Sequence, residues 1–283
     1  MLNITEIIKK RFSCRTYADK PIGEEILQKI QEIINSLPAG PFGGKPRFAL
    51  ISAAAESRGQ GKQYGTYGII KNARYFIAGA IKDTAHAMED YGYCKELLIL
   101  RATALGLGTC WLGGTFSSSG FAKAINLQQD ELLPSVSPVG YPAENKSFTE
   151  KMMRRIAGSD QRKPWKDIFF TDNFSRPLTE EAAGRYAAPL ANLRLAPSAS
   201  NKQPWRILRD ADAFHFYLSR ALGYNFLRGV SLQDVDMGIA MCHFALTVQE
   251  SGGNGQWEIN SAAPPSKAFD YIVSWREKNN SGA

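Results

Sequence analysis

Apolar residues at Ile26, Leu27, Ile30, Ile33 and Ile34 recur every three to four positions, which predicts a helix with one buried face. Pro21-Ile22-Gly23-Glu24-Glu25 opens it, and it ends before Pro38. The runs Tyr75 to Ala80 and Phe214 to Leu218 are short and rich in aromatic and aliphatic residues, which predicts strands. Arg47 to Ile51 and Arg206 to Leu208 read as further strands after Pro-Ser/Gly loops.

The pattern occurs twice. Asp90-Tyr91-Gly92-Tyr93 through Leu105-Gly106 to Trp111 aligns without a gap on Asp236-Met237-Gly238-Ile239 through Ser251-Gly252 to Trp257, an offset of 146. Each copy reads as a long helix, a Gly-rich turn and a short strand carrying Trp. Pro177-Leu178-Thr179-Glu180-Glu181 repeats the earlier helix opening and predicts a helix ending before Pro197. Two copies of helix, loop, strand, strand, long helix and strand indicate an α+β sandwich built from two structural repeats. Residues 1–155 form the first repeat and 156–283 a shorter, degenerate second, sharing one core; Arg155 to Phe174 reads as the connection.

Composition narrows the class. At 44% hydrophobic and 22% charged over 283 residues, the chain reads as a globular domain with a sizeable core. Apolar runs fall short of the roughly 20 residues of a membrane span, and the start lacks a secretory signal, so the expectation is a cytoplasmic protein. Cys14, Cys94, Cys110 and Cys242 lie far apart with no CxxC pair, so reduced thiols are expected and no metal site. The net charge of +7 is spread along the chain without a basic helix, which argues against nucleic-acid binding.

No GxGxxG follows a strand, no GxSxG elbow is present, and Pro46 stands where a P-loop needs Ser or Thr. His86, His215 and His243 lack partners at metal spacing, and His243 reads as a core or interface residue. Three segments remain. Arg11-Phe12-Ser13-Cys14-Arg15 sets two guanidiniums four residues apart around a hydroxyl, a donor set suited to a phosphate and a polyol. Ala196 to Trp205 combines small, hydroxyl and amide residues able to approach a planar ligand. Gly106 to Gly114 carries glycines on both sides of a short strand, which permits close backbone approach.

In this order the segments resemble the FMN-dependent nitroreductase family, in the branch where one chain carries two repeats and imitates the family homodimer. The similarity is strongest at Ala196 to Trp205, with Pro138-Val139-Gly140-Tyr141-Pro142 matching the penultimate strand. It implies a nitroreductase-like fold and an oxidoreductase that uses NAD(P)H to reduce nitroaromatics, quinones or similar electron-poor small molecules by ping-pong hydride transfer. A non-catalytic flavin- or nucleotide-binding member is the alternative.

Carried over by position, Arg11, Phe12, Ser13 and Arg15 belong to the cofactor segment, with Arg11, Ser13 and Arg15 on the FMN phosphate, ribityl chain and N1/O2 edge. Trp111, Leu112, Gly113 and Gly114 would follow the ring, the last two with amides near N5 and O4. Arg162 matches a late phosphate ligand, and Pro197, Ser198, Ala199 and Asn201 match the loop contributed across the dimer. Thr66 falls near a ring-contacting Asn of the family, and Gly113 replaces a frequent acidic residue. Arg15, Gly113 and Gly114 are the catalytic candidates.

The duplication predicts one FMN per chain. Asp167 and Thr171 replace the partners of Arg11 and Arg15, and Ile259-Asn260 replaces Gly113-Gly114. A monomer acting as an internal pseudo-dimer follows, with a small-molecule acceptor and neither nucleic acid nor membrane as partner.

Overall fold

The amphipathic stretch near the N-terminus folds as α2 (Glu24–Asn35), with Ile30 and Ile34 buried. It follows α1 (Ile4–Lys10), which is capped by Asn3. The computed structural model describes residues 3–53, 64–144, 161–211, 213–221 and 229–278.

Two sheets form. The first contains β1 (Arg47–Ser52), β2 (Tyr75–Lys82), β3 (Gly108–Thr109), β4 (Glu131–Leu132) and β5 (Val136–Gly140). Its order is β1-β2-β5-β3, with β4 beside β2 and every pairing antiparallel. The second contains β6 (Phe169–Thr171), β7 (Asn173–Pro177), β8 (Trp205–Asp210), β9 (Ala213–Leu218), β10 (Gly255–Glu258) and β11 (Asp270–Glu277). Its order, β10-β11-β9-β8-β6-β7, repeats the first sheet read from β3 to β1 and adds β6 and β7 beyond β8. The described part of the connecting stretch therefore carries two strands, and β6 lies parallel to β8. The α4 helix (Ser118–Ala124) precedes β4.

The helix predicted from Thr179 to Pro197 is broken. Thr179 caps α5 (Glu180–Ala183), and Gly184 then takes a φ of +58°, a left-handed conformation that glycine adopts without steric cost. One 3-10 turn leads into α6 (Ala187–Arg194).

The long helices α3 (Ala87–Ala104) and α7 (Leu232–Glu250) run through the centre and cross each other. A Cβ on Gly92 would lie 2.1 Å from the Val235 carbonyl oxygen, and one on Gly238 would lie 1.9 Å from that of Glu89. Gly92 corresponds to Gly238, and Glu89 to Val235, at the same offset of 146. The contact is self-complementary, as at a two-fold interface. Each helix also packs on its own sheet: Tyr91 against Phe48, and Phe244 against Phe214 and Phe216.

The four cysteines are buried thiols with no disulfide between them. Among the described residues no helix is long and apolar enough to cross a membrane, and no group of three or more His, Cys, Asp or Glu is arranged to hold a metal ion.

Candidate active site

A cavity of about 370 Å³ opens where the two sheets' elements meet, a size ordinary for a small-molecule site. One wall is the segment after α1. There the Cys14 N–H donates to the Thr109 carbonyl at 2.8 Å, and Ser13 forms a parallel bridge with Thr109. The buried Tyr17 hydroxyl donates toward the Cys14 carbonyl at 2.8 Å. A Cβ on Gly108 would sit 2.7 Å from the Cys14 Cβ, so only glycine lets this segment lie on the β3 edge. Alternation along the pinned segment turns Arg11, Ser13 and Arg15 to the cavity. Phe12, of opposite parity, is not on the lining.

The second wall is Trp111 to Gly114. Leu112 exchanges both backbone hydrogen bonds with Val136 at 3.0 Å. A Cβ at Gly113 would come within 2.6 Å of Leu232 Cδ2. The apolar Leu232 thus occupies the space a side chain at position 113 would need, which accounts for glycine where an acidic residue is frequent.

The loop at Pro197 to Asn201 closes the cavity from the other half. The Ala199 N–H donates to both oxygens of Asp236 at 3.0 Å, and the Gln203 N–H donates to Ser198 Oγ at 2.9 Å. Ser200, Asn201 and Gln203 have φ of +48°, +55° and +48°. Left-handed conformations in non-glycine residues cost of order 1 kcal/mol or more each and persist only where surrounding bonds fix them. Arg162 reaches in from the connection, its Nη1 donating to Gln161 O at 2.9 Å and Asn201 Oδ1 at 3.4 Å, and its Nη2 to Leu195 O at 3.1 Å.

Thr66 is buried outside the lining. Its carbonyl accepts from the Ile69 N–H at 3.0 Å, and Ile69 borders the cavity instead. The α7 face of Leu232, Val235, Asp236 and Ile239 also borders it, unanticipated from sequence. Its spacing of three, four and seven residues was the available signal, hidden because α7 is apolar on nearly every side. Burial holds the Asp236 carboxyl well above its ordinary range, and the Ala199 N–H partly offsets that.

Behind the wall lies a buried charge cluster. Glu96 Oε2 accepts from Trp111 Nε1–H at 2.8 Å, and Oε1 lies 2.9 Å from His243 Nε2 and 3.8 Å from Arg11 Nε. His243 Nδ1 faces the Asn192 carbonyl at 2.9 Å, an atom that can only accept. Nδ1 therefore carries hydrogen, and Nε2 faces the Glu96 carboxyl. His243 is an interface residue joining the halves. Arg11, with a side chain 7% exposed, has a buried Nε without a hydrogen-bond partner, and its guanidinium donates no hydrogen bond among the described residues.

The family model described as "Putative TM nitroreductase" matches residues 3–248. The crystal structure of a putative nitroreductase from Thermotoga maritima covers 97% of this chain and 94% of its own, with 20% identity and a TM-score of 0.62, so the two share a fold. A "Putative NADH dehydrogenase/NAD(P)H nitroreductase" from Methanothermobacter thermautotrophicus is 26% identical over 155 residues, 51% of this chain and 80% of that relative. A nitroreductase with bound FMN from Bacteroides fragilis covers 52% of this chain and 92% of its own, at 21% identity and a TM-score of 0.40. The match over residues 3–248 takes in the first sheet, strands β6 to β9 of the second and nearly all of both central helices, and the chain belongs to the nitroreductase family.

Proposed function

We propose that this chain is an FMN-dependent oxidoreductase that uses NAD(P)H to reduce electron-poor small molecules by a ping-pong cycle, with one FMN per chain. The observation that carries this reading is the convergence of Arg11, Arg15 and Arg162 with the loop at Pro197 to Asn201 on a single cavity. The residues fit the group. The Arg11 guanidinium is buried and uncommitted to any hydrogen bond among the described residues, as a phosphate ligand would need. Gly113 and Gly114 expose backbone along one wall, as a flat ring would need.

When bound, FMN would supply two-electron redox chemistry between a reduced nicotinamide and an acceptor such as a nitroaromatic or quinone. The protein's share is positioning and charge. Arg11 and Arg162 neutralise the phosphate, and Asn201 holds Arg162 in place. Arg15 offsets negative charge that grows on the ligand, a preorganised electrostatic role. Asp236 fixes the Pro197 to Asn201 loop through the Ala199 amide. The repeats at 1–155 and 156–283 act as an internal pseudo-dimer, so the working unit is a monomer in the cytoplasm.

The test is the Arg15→Ala variant loaded with FMN. Slower flavin reduction by NADH or NADPH with an unchanged fold is expected. An unchanged rate of NAD(P)H oxidation contradicts the assignment.

A further inference from the structure

Lys95 is fully buried in the middle of α3. Its Nζ donates to Ser135 Oγ at 2.8 Å and sits 4.7 Å from the Trp111 ring centroid and 5.6 Å from that of Tyr91. An ammonium has three N–H donors, and among the described residues one of them finds an acceptor. No carboxylate lies within ion-pair distance of it among those residues. Burying such a group is costly unless something repays it.

Two of the groups beside Lys95, Ser135 and Trp111, line the cavity. The Tyr91 hydroxyl spends its hydrogen on the Ser135 carbonyl at 2.7 Å. The Ser135 hydroxyl accepts from Lys95 and donates to Tyr91 Oη at 3.4 Å, so it ties Lys95 to the cavity wall. The repeat supplies the control. At the offset of 146, Lys95 corresponds to Met241, equally buried in α7. The same position in the same scaffold is apolar where the arginine segment has no counterpart beside it.

We propose that Lys95 is a positioning residue for the cofactor, holding positive charge behind the wall made by Trp111 and Ser135 and so favouring the anionic, two-electron-reduced ligand over the oxidised one. This rests on the flavin reading of the cavity. Burial alone pushes the Lys95 ammonium well below the ordinary lysine range, with Glu96 acting in the opposite direction. Negative charge gained by the ligand opposes that burial effect and draws the proton onto Lys95, so the two charges support each other.

The test compares FMN-loaded wild type with Lys95→Met, Ser135→Ala and the double variant, reading the midpoint potential of the bound flavin, the affinity for oxidised FMN and the melting temperature. Lys95→Met installs the residue of the second half, and exchanging a buried polar group for an apolar side chain of similar size is compatible with folding. The expected result is about a tenfold loss in the preference for reduced over oxidised FMN, about 30 mV more negative for a two-electron couple. Affinity for oxidised FMN should change by less than about threefold. Ser135→Ala should shift the potential in the same direction, and the double variant should go no further than Lys95→Met, because the two act in series. A Lys95→Met protein that binds FMN normally and keeps the wild-type potential overturns the role of Lys95 while sparing the flavin reading. Failure of wild type to bind FMN at all overturns both.

Discussion

Asp236 and Asp90 do the same job in the two halves with different results. Asp236 accepts the Ala199 amide and holds a loop against a cavity with three arginines. Asp90 accepts the Phe42 and Gly44 amides at 2.8 and 2.6 Å and holds a loop whose Phe42 ring stacks on His86, with centroids 4.1 Å apart. By the offset of 146, His86, Glu89 and Asp90 correspond to Leu232, Val235 and Asp236, which line the cavity. Phe42 therefore covers the α3 face equivalent to the open face of α7.

The strands differ in the same sense. Residues 11–15 lie on the β3 edge of the first sheet, next to the glycines. The stretch holding Thr171 pairs instead with β8, at the opposite end of the corresponding strand order. Asp167 sits in a 3-10 turn just before it. The scaffold of helix crossing and sheet order survived duplication, while the segment carrying the cations moved to another edge. Retained architecture and retained site are separable properties of one sequence.

The largest effect should come from breaking what the halves share. Gly92→Ala and Gly238→Ala each force a Cβ into a backbone carbonyl, and each should cost about 3 kcal/mol in denaturant unfolding, the upper end of the overpacking range. A large cost at one position and none at the other would contradict the two-fold character of the crossing. Next, Arg11→Ala should weaken FMN binding about 10- to 100-fold, the worth of one or two charge-assisted hydrogen bonds. Asp167→Ala, in the relocated counterpart, should leave the affinity unchanged in the same titration.

A pH series sharpens the loop comparison. Burial raises the folded-state Asp236 carboxyl above its unfolded value, so its contribution is fully present below about pH 4 and is lost as pH rises through the folded value. Asp236→Asn should remove that decline in melting temperature. Asp90 is shifted in the same direction, so Asp90→Asn should flatten the profile too, and by less, because the Phe42 and Gly44 N–H donors both offset its burial. The smallest effect is expected at Thr66, outside the cavity lining: Thr66→Ala should alter FMN binding by no more than about 0.5 kcal/mol.

The repeat, the arginine segment and the loop at Pro197 to Asn201 were legible because each is local in sequence. Phe12 and Thr66 were misplaced relative to the lining because strand parity and the path of the turn near Ile69 depend on what the backbone pairs with. The α7 wall stayed hidden because a helix apolar all round does not reveal which stripe meets a ligand. Glu96 and His243 lie 147 residues apart, and their contact forms only where α3 and α7 cross. The break at Gly184 was readable in principle, since glycine inside a helical pattern costs about 1 kcal/mol.

The central claim is that one complete site forms between unequal halves. FMN titration of the purified chain, followed by the visible spectrum and checked by released flavin, tests it most directly. The account predicts saturation at about one FMN per chain, lost in a variant carrying both Arg11→Ala and Arg162→Ala. Saturation at about two per chain would show that the second half retains a site, and the comparison drawn above would fail.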